Sequence, residues 1–195
     1  MSITAGHLAA AHVPPQLPDC WPLARLSDVC ELNPRRPNLN GRADDAPTTF
    51  VPMQAVGERE GAIIAAELRP FREVANGYTY FAEGDVLFAK ITPCMQNGKH
   101  AIARGLTDGI GFGSTEFHVI RPGPDIMAEW VWHYVRQPRV LRDATRYFTG
   151  AVGQQRVPDD FLARLRIPLP PLAEQRRIVA VLSEKLATLE KASAA

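Results

Sequence analysis

Seventeen prolines in 195 residues leave this chain little room for long regular elements. A proline inside a helix removes a hydrogen bond and clashes with the preceding turn, and in a sheet it is confined to edges and ends. The prolines cut the chain from Pro14 to Pro171 into short pieces, which suits a compact irregular sheet domain better than a helical bundle. The last of them stand in Pro168-Leu169-Pro170-Pro171, and Leu172–Lys191 beyond holds neither proline nor glycine. With Leu172 at heptad position a, the seam reads Leu172, Gln175, Val179, Leu182, Leu186 and Leu189, alternating a and d with one polar break. The predicted fold class is therefore α+β. A compact mixed domain with a twisted, mostly short-stranded sheet and flanking helices precedes a projecting C-terminal helix of coiled-coil type. We divide the chain into a loose leader (1–16), a globular domain (17–168) and the terminal helix with its approach (169–195).

Within the domain, Ser27–Leu32 reads as a short capped helical turn stopped by Asn33-Pro34. A polar loop over 33–47 carries Arg35, Arg36 and Arg42. Strands are expected at Thr48–Val51, Ala62–Ile64, Asp85–Ile91 and Thr115–Ile120, runs of β-branched and aromatic residues bounded by Gly, Pro or Asn. Gly111-Phe112-Gly113 reads as a turn into the last of these. A helix is predicted over Asp125–Gln137, with Asp125 as cap and Met127, Trp130, Val131, Tyr134 and Val135 on one face. Pro138 ends it, and Val140, Leu141, Ala144 and Phe148 mark a second helical piece before a glycine-bearing loop at 149–156.

Composition excludes several classes. At 46% hydrophobic residues the chain can bury a core, so it is not a disordered segment. Its 22 cations against 21 anions exclude a globally polycationic binder, though not a local basic face. Only Lys90, Lys99, Lys185 and Lys191 are lysines, and the arginine excess favours planar, bidentate recognition. No apolar run approaches the ~20 residues that span a bilayer. Cys20, Cys30 and Cys94 lack the spacing of a disulfide framework or zinc site and read as reduced thiols in a cytoplasmic protein.

Catalytic motifs do not emerge. There is no phosphate-binding GxxxxGK[ST] and no HExxH, and the five histidines do not cluster. Cys94 or Ser114 can be paired with His118 on paper, but no nucleophile elbow holds either. Three other constellations carry polar chemistry. A strand delivers Lys90 and Thr92 to its end, and the Asn97-Gly98 turn sets Gln96, Asn97 and Lys99 beside them. Such a loop contacts phosphates and base edges, or is a strand–turn–strand with solvated lysines. Ser114 and Thr115 either donate to phosphate or stabilise a turn. Residues 131–166 hold seven arginines against three aspartates, which marks either a polyanion footprint or a solvated helix face. Trp21, Trp130, Trp132, Phe88 and Phe117 are expected in the core rather than as stacking platforms.

Taken in order, several segments resemble a known family. They are Leu17-Pro18-x-x-Trp21 with Leu26-x-Asp28-Val29-Cys30, then Gly84–Lys90, Asn97-Gly98-Lys99, Gly113–Phe117, and Leu169-Pro170-Pro171-Leu172-x-Glu174-Gln175-x-x-Ile178. Together they resemble a target recognition domain of the type I restriction–modification specificity (S) subunit with its conserved spacer helix, from about Leu17 to Leu186. That resemblance implies sequence-specific binding of double-stranded DNA without catalysis, directing a methyltransferase and restriction complex to one half of a bipartite target. No cofactor is then expected on this chain. S-adenosylmethionine would belong to the methyltransferase subunit and ATP to a helicase–nuclease restriction subunit. A complete subunit of that family has two recognition domains and two long helices, so one of each implies a natural half-subunit or an N-terminal fragment. On this reading Lys90, Thr92, Gln96, Asn97 and Lys99 form the first DNA-contact set, and Ser114, Thr115, Gln154 and Arg156 the second. Leu172, Val179, Leu182, Leu186 and Leu189 would pair with a second copy in a homodimer. Two rival readings are the recognition subunit of a related type II system and an assembly protein that no longer reads DNA.

Overall fold

A computed structural model of the chain describes residues 18, 20–151 and 153–193. The expected leader therefore lies outside the described residues. The chain enters through β1 (Leu23–Arg25), α1 (Leu26–Val29) and β2 (Cys30–Leu32). The helical turn expected over Ser27–Leu32 is thus shifted and shortened. Cys30–Leu32 pairs antiparallel with β9 (Phe117–Pro122), and that ladder overrides the local helical preference. Asn33, at φ 49°, turns the chain out of β2, and its side-chain oxygen accepts from Val119 N at 2.9 Å.

The remaining strands are β3 (Pro47–Val51), β4 (Glu67–Pro70), β5 (Thr79–Ala82), β6 (Val86–Ala89), β7 (His100–Ile102), β8 (Ile110–Gly113) and β10 (Arg166–Pro168). They form two four-stranded sheets, ordered β2-β9-β6-β7 and β4-β3-β8-β5, and a β1-β10 ribbon. The α+β class stands, with two sheets where one was expected. Ala62–Ile64 is no strand: Ile63 makes a single bridge to Val56. The reading of Gly111 and Gly113 as a turn is corrected as well, since both lie within β8. A Cβ at Gly111 would fall 2.4 Å from the Phe81 ring, and one at Gly113 2.5 Å from Val51 O. These glycines let the sheet pack closely.

The first sheet is covered on both faces. Val86 and Phe88 join one core cluster with Ile120, Trp130 and Val135, while Leu87 and Ala89 join another with Phe81, Phe117 and Val119. That two-sided burial is why β6 reads as an unbroken apolar run. The short α2 (Phe71–Val74) packs beside β3 and β4, and the helices on the outer face are α3 (Ala128–Val135), α4 (Pro138–Thr145) and α5 (Asp159–Arg164). Pro138 opens α4 at a position that needs no backbone donor, and Val140 and Ala144 are buried beneath it. Helix α3 starts three residues later than expected, and Asp125 does not cap it. Met127 stands at the cap position, and its N–H donates to Gln175 Oε1 at 2.9 Å.

Helix α6 (Leu172–Ser193) is the long proline-free element. Its expected projection holds only beyond its second turn. Gln175 and Val179 are buried and Ile178 packs on the main core, whereas Val181, Leu182 and Leu186 are exposed. The heptad's polar break is therefore an anchor to the chain's own domain. Leu172 is half-buried at the helix root. The side chain of Leu189 lies outside the described residues.

Candidate nucleic-acid interface

The backbone weaves three separate segments together where β6 ends and β9 begins. Lys90 N donates to Glu116 O at 2.8 Å, Val157 N to Lys90 O at 2.9 Å, and Thr92 N to Gln155 O at 3.0 Å. Ile91 bridges Arg156, and Thr149 and Arg156 exchange hydrogen bonds at 3.0 and 2.9 Å. Both contact sets expected from sequence thereby meet: Lys90 and Thr92 adjoin Ser114, Thr115, Gln154 and Arg156. Among the described residues, the side chains of Lys90, Thr92, Thr115 and Gln154 make no hydrogen bond with one another or with anything else, and Thr115 and Gln154 are exposed. Ser114 takes the turn-stabilising role left open above, its hydroxyl accepting from Glu116 N at 3.2 Å.

Arg156 is held differently. Its Nε donates to Glu116 Oε2 at 2.8 Å, its Nη2 to Glu116 Oε1 at 2.6 Å, and its Nη1 to Gln154 O at 2.9 Å. This two-pronged contact holds the Glu116 carboxyl below the usual range. Sequence reasoning did not pair Glu116 with Arg156, because forty residues separate them; the β6–β9 pairing sets Glu116 beside Lys90, and the Ile91–Arg156 bridge brings Arg156 to the same strand end.

The Gln96–Lys99 turn extends from the same strand end, with Met95 buried beneath it. Gln96 and Asn97 are exposed, but Asn97 Nδ2 donates to Glu58 Oε1 at 3.1 Å. Lys99 turns inward: its Nζ donates to Val56 O at 2.8 Å and lies 3.9 Å from Glu58, with the side chain only 16% exposed. Beneath the turn Arg136 acts as a clamp. It donates to the carbonyls of Gly98 (2.7 Å), His100 (3.1 Å), Glu58 (3.2 Å) and Arg59 (3.0 Å), and it lies over the Trp132 ring at 4.7 Å. The Trp132–Arg136 stacking is legible as an i, i+4 pair, but the carbonyls it reaches are not.

The arginine-rich stretch 131–166 is largely engaged within the fold. Besides Arg136 and Arg156, Arg146 pairs with Asp143, Arg164 with Asp160, and Arg139 lies over the Tyr134 ring. Arg142 and Arg166 are exposed. The aromatics behave as core: Phe88, Phe117 and Trp130 are buried, and Trp21 and Trp132 pack against the cluster that holds Phe88 and Trp130.

Among the described residues no catalytic set is gathered nearby. His118 donates Nε2–H to Val157 O at 2.8 Å and places Nδ1 3.0 Å from Asp159, away from any nucleophile. All three cysteines are free, and burial pushes the Cys30 thiol up to about 12. Among the described residues no group of His, Cys, Asp or Glu is placed to hold a metal, and no helix is long and apolar enough to cross a membrane.

With that geometry in view, comparison with known proteins is decisive. The family model described as the type I restriction modification DNA specificity domain matches residues 18–194. The chain belongs to that family. Among its relatives in Escherichia coli, the type I restriction enzyme EcoAI specificity subunit is 39% identical over 167 residues, covering 85% of this chain and 28% of the relative. The EcoEI specificity subunit is 37% identical over 172 residues, with 88% and 28% covered. The chain thus spans little more than a quarter of these relatives. Among solved structures, the HsdS subunit from Thermoanaerobacter tengcongensis superposes with a TM-score of 0.75 at 26% identity, over 92% of this chain and 45% of that one. The two-sheet domain with its terminal helix is therefore the architecture of a specificity domain.

Proposed function

We propose that this chain is a non-catalytic DNA-reading module that brings the methyltransferase and restriction subunits of a type I enzyme to one half of a bipartite target. The reading places it in the cytoplasm, with S-adenosylmethionine and ATP bound by partner subunits and no cofactor here. What supports it, in a member of the specificity-domain family, is the weave of residues 90–92, 114–116 and 154–156 with Thr149. That weave draws the backbones at Lys90, Thr92 and Gln154 together beside the Ser114–Glu116 turn, and the side chains of Lys90, Thr92, Thr115 and Gln154 make no hydrogen bond among the described residues. Ser114, Asn97 and Lys99 support the weave more than they contact DNA. Gln96 stands at its edge as a base-reading amide.

The exposed seam of α6 supplies a partner surface. We read it as the site where a second copy docks antiparallel, giving a two-fold dimer with two identical recognition domains and an interrupted palindrome as target. The domain division (17–168 for recognition, 169–195 for docking) moves slightly on this reading, because residues 172–179 belong with the domain they pack on.

The test is DNA binding by the full chain across a salt series. Specific binding should persist at ~0.2 M salt, where non-specific association fades through counterion release. Lys90→Ala should weaken binding to all sequences and flatten the salt slope by about one unit. Loss of all sequence preference in the wild-type chain at that salt would refute the reading.

A further inference from the structure

The Glu116–Arg156 pair does something that a phosphate contact would not require. A guanidinium carries five N–H donors in one plane. Three of the Arg156 donors are engaged, by the Glu116 carboxylate at Nε and Nη2 and by Gln154 O at Nη1, which leaves one donor on each Nη nitrogen. Both partners are fixed through their backbones as well. Arg156 N donates to Thr149 O at 2.9 Å, and Glu116 O accepts from Lys90 N at 2.8 Å. The Arg156 side chain keeps 39% of its surface exposed, so the outer edge of the fork is open.

We propose that Arg156 reads a guanine and that Glu116 is its positioning residue, holding the guanidinium plane so that the two free Nη donors meet O6 and N7 of one base. This rests on the DNA-reading function proposed above. Charge separates guanine from phosphate as the ligand. The paired carboxylate cancels the arginine's charge, so the pair contributes little attraction to a polyanion, and a carboxylate at the groove disfavours a phosphate neighbour. What the pair retains is geometry. A planar fork of fixed orientation matches the major-groove edge of guanine, whereas a flexible ammonium such as Lys90 suffices for phosphate.

The experiment is selection from a pool of random-sequence duplex DNA by the full chain, followed by affinity and salt titrations on the enriched sequence. The wild-type motif should hold a guanine at one fixed position. Arg156→Lys keeps the charge and loses the fork, so preference for that guanine should fall by about 5- to 150-fold, with the other positions unchanged. Glu116→Gln should relax preference at the same position while raising non-specific affinity and steepening the salt slope by about one unit, because the arginine's charge is released. These opposite movements are not expected of a pair that merely braces two loops. Equal melting temperatures confirm folding, and Glu116→Gln carries the test if Arg156→Lys disturbs the fold. A wild-type motif without guanine, an unchanged motif in both variants, or a uniform loss of affinity over all sequences would overturn the proposal while leaving DNA reading intact. Failure of the wild-type chain to enrich any sequence would instead overturn the DNA-reading function itself.

Discussion

Replacing Gln175 with leucine removes three hydrogen bonds made by a side chain that is 0% exposed. Its Oε1 accepts from Met127 N at 2.9 Å, and its Nε2 donates to Asp125 O at 2.9 Å and Pro170 O at 2.8 Å. Leucine of similar volume would leave one backbone donor and two backbone carbonyls unpartnered at the root of α6. Each such group costs about 1–3 kcal/mol, partly offset by about 1–2 kcal/mol from the added apolar burial. The sum is a net loss of about 1–8 kcal/mol, which for a chain of this size lowers the melting temperature by roughly 2–32 °C. If α6 detaches before the domain melts, hydrogen exchange will show its first two turns deprotected while β6 and β9 stay protected. Gln175→Glu adds a pH signature. Its second carboxylate oxygen would face the Asp125 and Pro170 carbonyls, which raises its folded-state pKa above the unfolded ~4.3. Relative to wild type at the same pH, this variant should be closest to normal below that value and lose stability as pH rises through it. A Gln175→Leu change under ~1 kcal/mol with α6 exchange unaltered would refute this account of how the helix is held.

Other outcomes follow from the same geometry. Burial and the Arg136 charge hold His100 down at about 3, with Nδ1 accepting from Ala89 N and Nε2–H donating to Met95 O. Its contribution is intact above the unfolded pKa of ~6.5 and is lost as pH falls toward 3, by up to about 1.4 kcal/mol per unit; denaturant unfolding of wild type and His100→Gln should show the variant's profile flattened. Arg136→Ala removes four donations; Glu58 O and Arg59 O lose their donor while Gly98 O keeps His100 N and His100 O keeps Trp132 Nε1, and the Gln96–Lys99 turn should loosen, read as faster amide exchange at residues 96–99 and weaker binding to all DNA alike. Leu182→Glu with Leu186→Glu, both on the exposed part of α6, should give a soluble monomer with an unchanged domain melting temperature. Sedimentation checks this, and a wild-type chain that is already monomeric at ~100 μM would remove the dimer from the proposal.

What the sequence determined by itself was whatever depends on local pattern. Proline spacing dictated short elements, the Gly- and Pro-free run after Pro171 dictated α6, and Pro138 dictated the break between α3 and α4. The ordered motifs from Leu17 to Ile178 carried the family, and the strand-end position of Lys90 made it the first proposed contact. Tertiary structure decided everything that depends on a distant partner. Cys30–Leu32 became a strand because β9 offered a ladder. Gly111 and Gly113 became packing glycines because Phe81 and Val51 lie against them. Lys99 and Lys90 look alike in sequence, yet one closes on Val56 O while the other makes no hydrogen bond and lies within the electrostatic reach of Glu116, a difference set by where the 53–58 segment passes. Gln175 read as a flaw in a heptad seam and proved to be its domain anchor, because the groups it satisfies lie near residue 126 and at Pro170. Glu116 stood in a family segment without a role of its own until the β6–β9 pairing and the Ile91–Arg156 bridge set it against Arg156. Periodicity encodes which face of an element is apolar; it does not encode which polar group waits across the gap, and that pairing is where this domain places its candidate reading chemistry.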